Sequence, residues 1–422
     1  MVGDYHGNGP DEGGCLVTES ISRRTIPFSP PDIRDEDIAA VVRVLKSGWI
    51  TTGPVSRQFE SELAGYIGVD EVVLLNSCTA ALELALRVAG VGPGDEVIVP
   101  AYTYTATAAV VAHVGATIVM VDIQPGAYWP SIQQILAAVT ERTAAIMTVD
   151  IAGVPYDTAA LVESLPVNPS RWPRRDDLVG RLGRPVVVVD AAHSLGAVRT
   201  GRRVGQFGDL TAFSFHAVKN LTTAEGGALA WRPDLPIEGY ALAARVRRMA
   251  LHGQTKDALA KSRAGFWEYD VVETGYKMNM PDILAALGLS QLARLDDMIA
   301  RRHELVARYS SALEGIVGIL GHTGSSFSSS AHLCLVDLGD VAPDRERIIS
   351  DLAQVGVTTN IHYKPLPLLS AYQRLGFPIE DYPNAHERFR RVLSLPLHTL
   401  LTDDDVDHVS SSLARAVASS MG

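Results

Sequence analysis

The stretch FSFHAVKNLTTAEGG, residues 213–227, decides how the rest of the chain is read. It sets a single lysine, Lys219, between an apolar-aromatic strand ending at Ser214 and a polar turn closed by two glycines. Phe213, Phe215 and Val218 flank it, and apolar surroundings penalise an ammonium and lower its pKa. An amine tuned this way is a candidate nucleophile for a Schiff base. By itself the segment fits equally well an ordinary strand-end lysine whose amine snorkels to solvent. The surrounding sequence separates the two.

At 422 residues the chain is long enough for a sizeable core and more than one domain. A formal net charge of −11 leaves no basic excess to neutralise phosphates, which argues against nucleic acid as a partner. Local basic clusters, Arg171 to Arg175 and Arg245 to Arg248, read as solvated faces or as contacts for a small anionic substrate. Cys15, Cys78 and Cys334 are far apart and lack CxxC spacing, so neither a disulfide framework nor a metal site is indicated. The opening MVGDYHGNGPDEGG is acidic and glycine-rich rather than basic and then apolar, unlike a signal peptide. The uncharged run Val97–Val121 contains Pro100, two tyrosines, His113 and Gly115, and reads as strand, helix, strand rather than a membrane span. A cytoplasmic location without membrane contact is expected, and the sequon at Asn220 then carries no glycan.

Residues 1–25 read as a flexible tail. A helix is expected over 35–46 with Ile38, Val41, Val42 and Leu45 on one face, then a loop, GWITTGP, and a second amphipathic helix over 57–68. From Glu71 strands and helices alternate. Strands are expected at 72–75, 97–99, 117–121, 144–149, 185–189 and 210–215, with helices opening at Ser77-Cys78-Thr79 and over 105–113. That alternation predicts a mostly parallel sheet covered on both faces. The Pro/Arg-rich SLPVNPSRWPRRDD, within 156–185, reads as a surface loop inserted in one crossover. Beyond Pro281 a long helix over 282–310, strands near 332–338 and 357–361, and a helix from Asp403 predict a smaller α+β domain. The boundaries are thus 26–280 for a large domain and 281–422 for a small one.

Three strand-end features accompany Lys219. Ser77-Cys78-Thr79 caps a helix, whose free N–H groups and positive end suit a phosphate, although a plain N-cap looks the same. VVVVDAAHSLG (186–196) ends an apolar strand in Asp190, where ligands of parallel sheets bind. A carboxylate there suits a cation such as a protonated pyridine nitrogen; helix capping is its structural alternative. Tyr102 and Tyr104 follow the 97–99 strand, where an aromatic ring could cover a flat ligand or simply fill the core. Together they form a phosphate cup, a partner for a ring nitrogen, an aromatic cover and a lysine. That is the set pyridoxal phosphate requires.

From about Ile26 to its C-terminus the chain resembles the DegT-type sugar aminotransferases. The landmarks are GWITTGP, NSCTAALELAL, VIVPAYTYTAT, GATIVMVDI, VVDAAHSLGA, FSFHAVKNLTTAEGG, GYKMNMPDILAALGLSQL, IHYKPL and SLPLH, in that order. The resemblance implies the α/β PLP-dependent transferase fold type I, with a mostly parallel seven-stranded sheet. It implies pyridoxal 5′-phosphate, Lys219 as its covalent anchor and Asp190 as the partner of its ring nitrogen. His193 takes the place near the phenolic oxygen, and Tyr104 that of the stacking aromatic. Cys78, Thr79 and Ser214 match the phosphate cup, with Cys78 offering its backbone N–H. GYKMNM (275–280) stands where the family often has GYNYRM, so Lys277 replaces an asparagine that reaches the neighbouring subunit's phosphate, and Asn279 replaces an arginine. Asp150 stands where histidine is frequent.

The resemblance further implies a homodimer with active sites at the subunit interface, L-glutamate as amino donor, and a nucleotide-linked keto-sugar as acceptor. The sugar is first a 4-keto-6-deoxyhexose and next a 3-keto sugar, its diphosphate meeting arginines or Lys277. Residues 252–253 and 362–363 are candidates for the sugar pocket. Alternatives are a keto-inositol acceptor and a non-catalytic cofactor-binding regulator. Family dehydratases carry histidine in place of the lysine, so Lys219 speaks against dehydration.

Overall fold

A computed structural model of the chain describes residues 24–168, 177–256 and 268–421. Nearly all of the expected tail, with Cys15, and the centre of the Pro/Arg-rich insertion, with Arg171, Trp172 and Arg175, lie outside the described residues.

Helix α1, Asp35–Ser47, ends where Gly48 turns left-handed, and α2, Pro54–Ile67, starts on a proline, which suits a first helical turn. A sheet follows: β1 Val72–Leu75, β2 Glu96–Pro100, β3 Thr117–Val121, β4 Thr143–Val149, β5 Val186–Asp190, β6 Leu210–Ser214 and β7 Gly227–Trp231. Its order is β1-β7-β6-β5-β4-β2-β3, seven strands as expected. Only β7 runs against its neighbours. β1, β2, β4, β5 and β7 are buried along their whole length, as continuous apolar runs in a doubly covered sheet should be. Helices α3, Cys78–Ala89, and α4, Thr105–His113, pack on one face, and α2 with α5, Asp282–Leu292, on the other.

The C-terminal part has its own core. Helices α6, Leu295–Ala312, α7, Arg345–Gln354, and α8, Asp403–Met421, enclose Leu305, Tyr309, Ile348, Leu352, Val406 and Val409. They cover a three-stranded antiparallel sheet of β8 Gly318–Ile319, β9 Cys334–Asp337 and β10 Val392–Leu395.

Three expectations require correction. The helix over 282–310 is two, because Arg294 leaves helical geometry (φ −120°, ψ 12°) to clamp Asp37 at 2.8 Å and Asp32 at 3.2 Å. α5 then lies on α1 and α2 while the far half of α6 enters the C-terminal core, which one straight helix could not do. Residues 357–361 form no strand: Val357 bridges Ile26 and Asn360 bridges Ser394, so single pairings go to two different segments and no ladder develops. In α1 the buried positions are Asp37, Ala40 and Val44, whereas Ile38, Val42 and Leu45 are exposed. Among the described residues no helix is long and apolar enough to cross a membrane.

Candidate active site

The carboxyl ends of β1, β2, β4, β5 and β6 converge on a cavity of about 480 Å³. Cys78, Thr79, Tyr104, Asp150, Asp190, His193, Ser214, Lys219 and Tyr363 all line it. Seven of the eight residues proposed for the site are therefore together.

The cup follows from a capped helix. Ser77 Oγ accepts the Ala80 N–H at 3.1 Å and starts α3, leaving the first-turn N–H groups of Cys78 and Thr79 without intrahelical acceptors. β7 fixes the cup's height. A Cβ on Gly227 would stand 2.4 Å from the Ser77 carbonyl carbon and 2.5 Å from the Cys78 nitrogen, so only glycine lets strand and helix end approach. Ser214 closes the cup from the end of β6.

Asp190 forms the floor. It is 5% exposed, and burial raises its pKa, offset by Thr107, the Ala192 N–H and Lys219. The Thr107 hydroxyl donates to Oδ2 at 2.7 Å and Ala192 N–H to Oδ1 at 3.2 Å. The Cys78 thiol also faces Oδ1, at 3.9 Å, and the Ala212 carbonyl at 3.6 Å. Cys78 thus offers more than its backbone; burial pushes its pKa far up, so it stays a thiol. Among the described residues no arginine, lysine or histidine forms an ion pair with Asp190.

Lys219 sits on the turn after β6, its N–H on the His216 carbonyl at 2.9 Å. Phe213 and Phe215 are fully buried in the core, whereas Val218 is exposed at the cavity. Burial pulls the ammonium down to about 8, against the opposing pull of Cys78 and Asp190. His193 accepts the Ala152 N–H on Nδ1 at 3.3 Å, so its proton is on Nε2, which donates to the Tyr363 hydroxyl at 2.9 Å. Burial, then the charges of Lys219 and His362, hold its pKa well below the ordinary value, and the ring is neutral. Tyr104 is 58% exposed, its ring 5.8 Å from that of Tyr363. It is available to cover a flat ligand.

Of three further participants, the sequence reading missed Thr107, took Tyr363 with His362 only as a candidate for the sugar pocket, where both do line the cavity, and noted Asp150 only as a departure from the family pattern. Thr107 lies beneath Asp190, on the buried face of α4, one turn after Thr103. Tyr363, from the C-terminal part, reaches His193. Asp150 accepts the Ser194 hydroxyl at 2.6 Å and the Tyr156 N–H at 2.9 Å, and burial lifts its pKa to about 7. Conversely, Lys277 is exposed outside the cavity of its own chain and donates to Asn279. His252 and Gly253 also miss it. His252 donates its N–H to the Tyr276 carbonyl at 2.7 Å, on a neighbouring loop.

Pyridoxal phosphate fits these donors. Asp190 is a buried carboxylate at a cavity, with no cation paired to it among the described residues, which a protonated ring nitrogen would complete. The cup offers N–H groups and hydroxyls to a phosphate.

Known proteins agree. The model of the DegT/DnrJ/EryC1/StrS aminotransferase family matches residues 31–167 and 174–414. The chain belongs to this family. It is 39% identical to the spore coat polysaccharide biosynthesis protein SpsC of Bacillus subtilis over 390 residues, 91% of this chain and 95% of that protein. The putative sugar aminotransferase Spr1654 of Streptococcus pneumoniae, solved in its PLP form, superposes with a TM-score of 0.90 at 42% identity, covering 94% and 100% of the two chains. Helicobacter pylori PseC, an aminotransferase of pseudoaminic acid biosynthesis, superposes at 0.81 with 26% identity, covering 94% and 100%.

Proposed function

We propose that this sugar aminotransferase takes its amino group from L-glutamate and delivers it to a nucleotide-linked keto-sugar, first of all a 4-keto-6-deoxyhexose. Its cofactor is pyridoxal 5′-phosphate, which supplies the carbonyl that receives the amino group and the electron sink for the proton transfer. The observation that carries the reading is Lys219 Nζ, an amine with its pKa near 8, in the same cavity as the buried Asp190 carboxylate.

Each residue has a task. Cys78, Thr79 and Ser214 hold the phosphate through N–H and hydroxyl groups. Asp190 keeps the ring nitrogen protonated, and Thr107 keeps Asp190 ionised. Tyr104 covers the ring. His193, fixed with its proton on Nε2, holds Tyr363 against the cavity wall. Lys219 would anchor the cofactor, and once displaced its neutral amine would move the proton of the donor's Cα to the cofactor's C4′ and reverse that transfer, from C4′ to the acceptor's carbon, in the second half-reaction. With a pKa near 8 it can do both around neutrality.

A homodimer is part of the proposal. Lys277 lies outside its own cavity, which suits a phosphate contact across an interface, and the Ile38, Val42 and Leu45 stripe on α1 has no cover among the described residues. SpsC and PseC act in polysaccharide and pseudoaminic acid synthesis, which supports a sugar acceptor. The proposed compartment is the cytoplasm.

The test is visible absorbance of the purified chain with pyridoxal phosphate, before and after L-glutamate, followed by nucleotide-linked keto-sugars. Bleaching by glutamate and recovery on adding a 4-keto sugar are expected, with neither in Lys219→Ala. A bound cofactor that no amino donor bleaches would overturn the reading.

A further inference from the structure

A buried polar network behind the cavity joins the lysine turn to the C-terminal part of the chain. Asn220, next to Lys219 and 7% exposed, donates from Nδ2 to the Ser330 carbonyl at 2.6 Å. That bond fixes the amide orientation, so Oδ1 faces His332 Nδ1 at 2.9 Å and His332 must donate there. His332 is 3% exposed and does not line the cavity. Its backbone N–H donates to the Ala152 carbonyl at 3.0 Å, and the Ala152 N–H is the donor that sets the tautomer of His193. The rings of His193 and His332 lie 4.4 Å apart. Ser330 completes the knot, its hydroxyl on the His193 carbonyl and its N–H on the Gly153 carbonyl at 3.1 Å. Gly153 has φ +87°, and a Cβ there would lie 2.1 Å from Ser330 Oγ, so glycine permits the closure.

We infer that His332 is a positioning residue: its ring, through Asn220, holds the backbone beside Lys219 without touching the cavity, while its main chain anchors the Ala152 segment against His193. The inference rests on the pyridoxal phosphate reading above. Burial, followed by the neighbouring His193 and the charge on Lys219, keeps the His332 ring neutral, with one N–H to give. That N–H is spent on Asn220.

The consequence is specific to the covalent part of cofactor binding. Pyridoxal phosphate needs Lys219 held in place, because fixing a nucleophile raises its effective concentration. Pyridoxamine phosphate uses the same cup and floor but forms no bond to Lys219. The experiment therefore titrates the cofactor-stripped full chain with each compound. His332→Phe, which keeps a ring but loses the N–H, is expected to weaken pyridoxal phosphate about tenfold, the worth of one buried hydrogen bond, and pyridoxamine phosphate less than about twofold. His332→Asn restores a donor near the Nδ1 position and is expected to recover pyridoxal phosphate binding to within about threefold. Asn220→Ser cuts the same link from the other side and should repeat the His332→Phe pattern.

Equal weakening of both compounds would mean a structural role only and overturn the inference. So would unchanged binding in both His332→Phe and Asn220→Ser. If the unaltered chain showed no preference that Lys219→Ala removes, the cofactor reading itself would fail, a result distinct from either of these.

Discussion

Replacing Thr107 by valine tests the electrostatics of the floor. Thr107 is wholly buried and donates at 2.7 Å to Asp190 Oδ2, the shortest of the carboxylate's contacts. A hydrogen bond to a buried charge is worth about 1.5–3 kcal/mol, and a contact this short belongs in the upper half of that range. Valine also deprives Thr103 of its partner at 2.8 Å, which adds about 1 kcal/mol at any pH. Burial holds the Asp190 pKa above its unfolded value, so its effect on stability is favourable below the unfolded pKa and is lost as pH rises through the folded one. Valine raises the folded pKa further. The additional loss therefore sets in as pH rises through the raised folded pKa of Asp190 and is complete once the carboxylate is ionised in the variant as well. Denaturant unfolding of the cofactor-free chain followed by circular dichroism should show Thr107→Val weaker by about 3–4 kcal/mol near pH 7.5 but by about 1 kcal/mol near pH 4.5. Thr107→Ser, which keeps the hydroxyl, should lose little at either pH. A penalty for valine that is the same at both pH values would show that Thr107 only fills space, and the account of the floor would fall.

Uptake of pyridoxal phosphate by the cofactor-free chain should accelerate with pH, with a midpoint near 8, because only the neutral Lys219 amine attacks and burial places its pKa there; stopped-flow absorbance would follow it. Gly227→Ala should weaken binding of inorganic phosphate and of pyridoxal phosphate at least about tenfold in equilibrium titrations, since its Cβ meets backbone that cannot swing aside. Asp209→Asn should cost about 3–5 kcal/mol in chemical unfolding, for Asp209 is fully buried between Arg184 at 2.7 Å and Arg232 at 2.9 Å; the buried Arg184 would lose its counter-charge, whereas Arg232 keeps Asp234 at 2.6 Å.

The sheet was legible wherever burial imposed long apolar runs. The strands at 72–75 and 117–121 and the helix at 105–113 have the bounds read from the sequence. β7 escaped, because GALAW is short and small-sided and owes its strand state to ladders supplied by β1 and β6. The stripe of α1 was legible as a pattern but not in its direction: which face is buried is set by α5, far along the chain. Strand ends pointed to the cup at Cys78, to Asp190 and to Lys219 because a parallel sheet gathers them at one edge, whereas His193 came only from the family resemblance. Tyr363 and Thr107 could not be placed the same way. Their roles arise from contacts with His193 and Asp190 that only the folded arrangement creates.

The place of β1 in the sheet has a consequence for how the protein is made. β1 lies at an edge and, among the described residues, β7 is its one partner strand; Leu75 also bridges Asn279, and the Asn76 N–H beside it donates to the Met278 carbonyl at 2.7 Å. A ribosome has thus released β1 through β6 before the strand that seats β1 exists, and the segment that braces Asn76 comes later still. The phosphate cup, though written near the start of the message, is completed among the last parts of the large sheet. Loop closure over such a span is slow, and unpaired edges are exposed while it waits. Cofactor capture is then a late event in the life of the nascent chain, and a fragment ending before Gly227 lacks the strand that seats the cup.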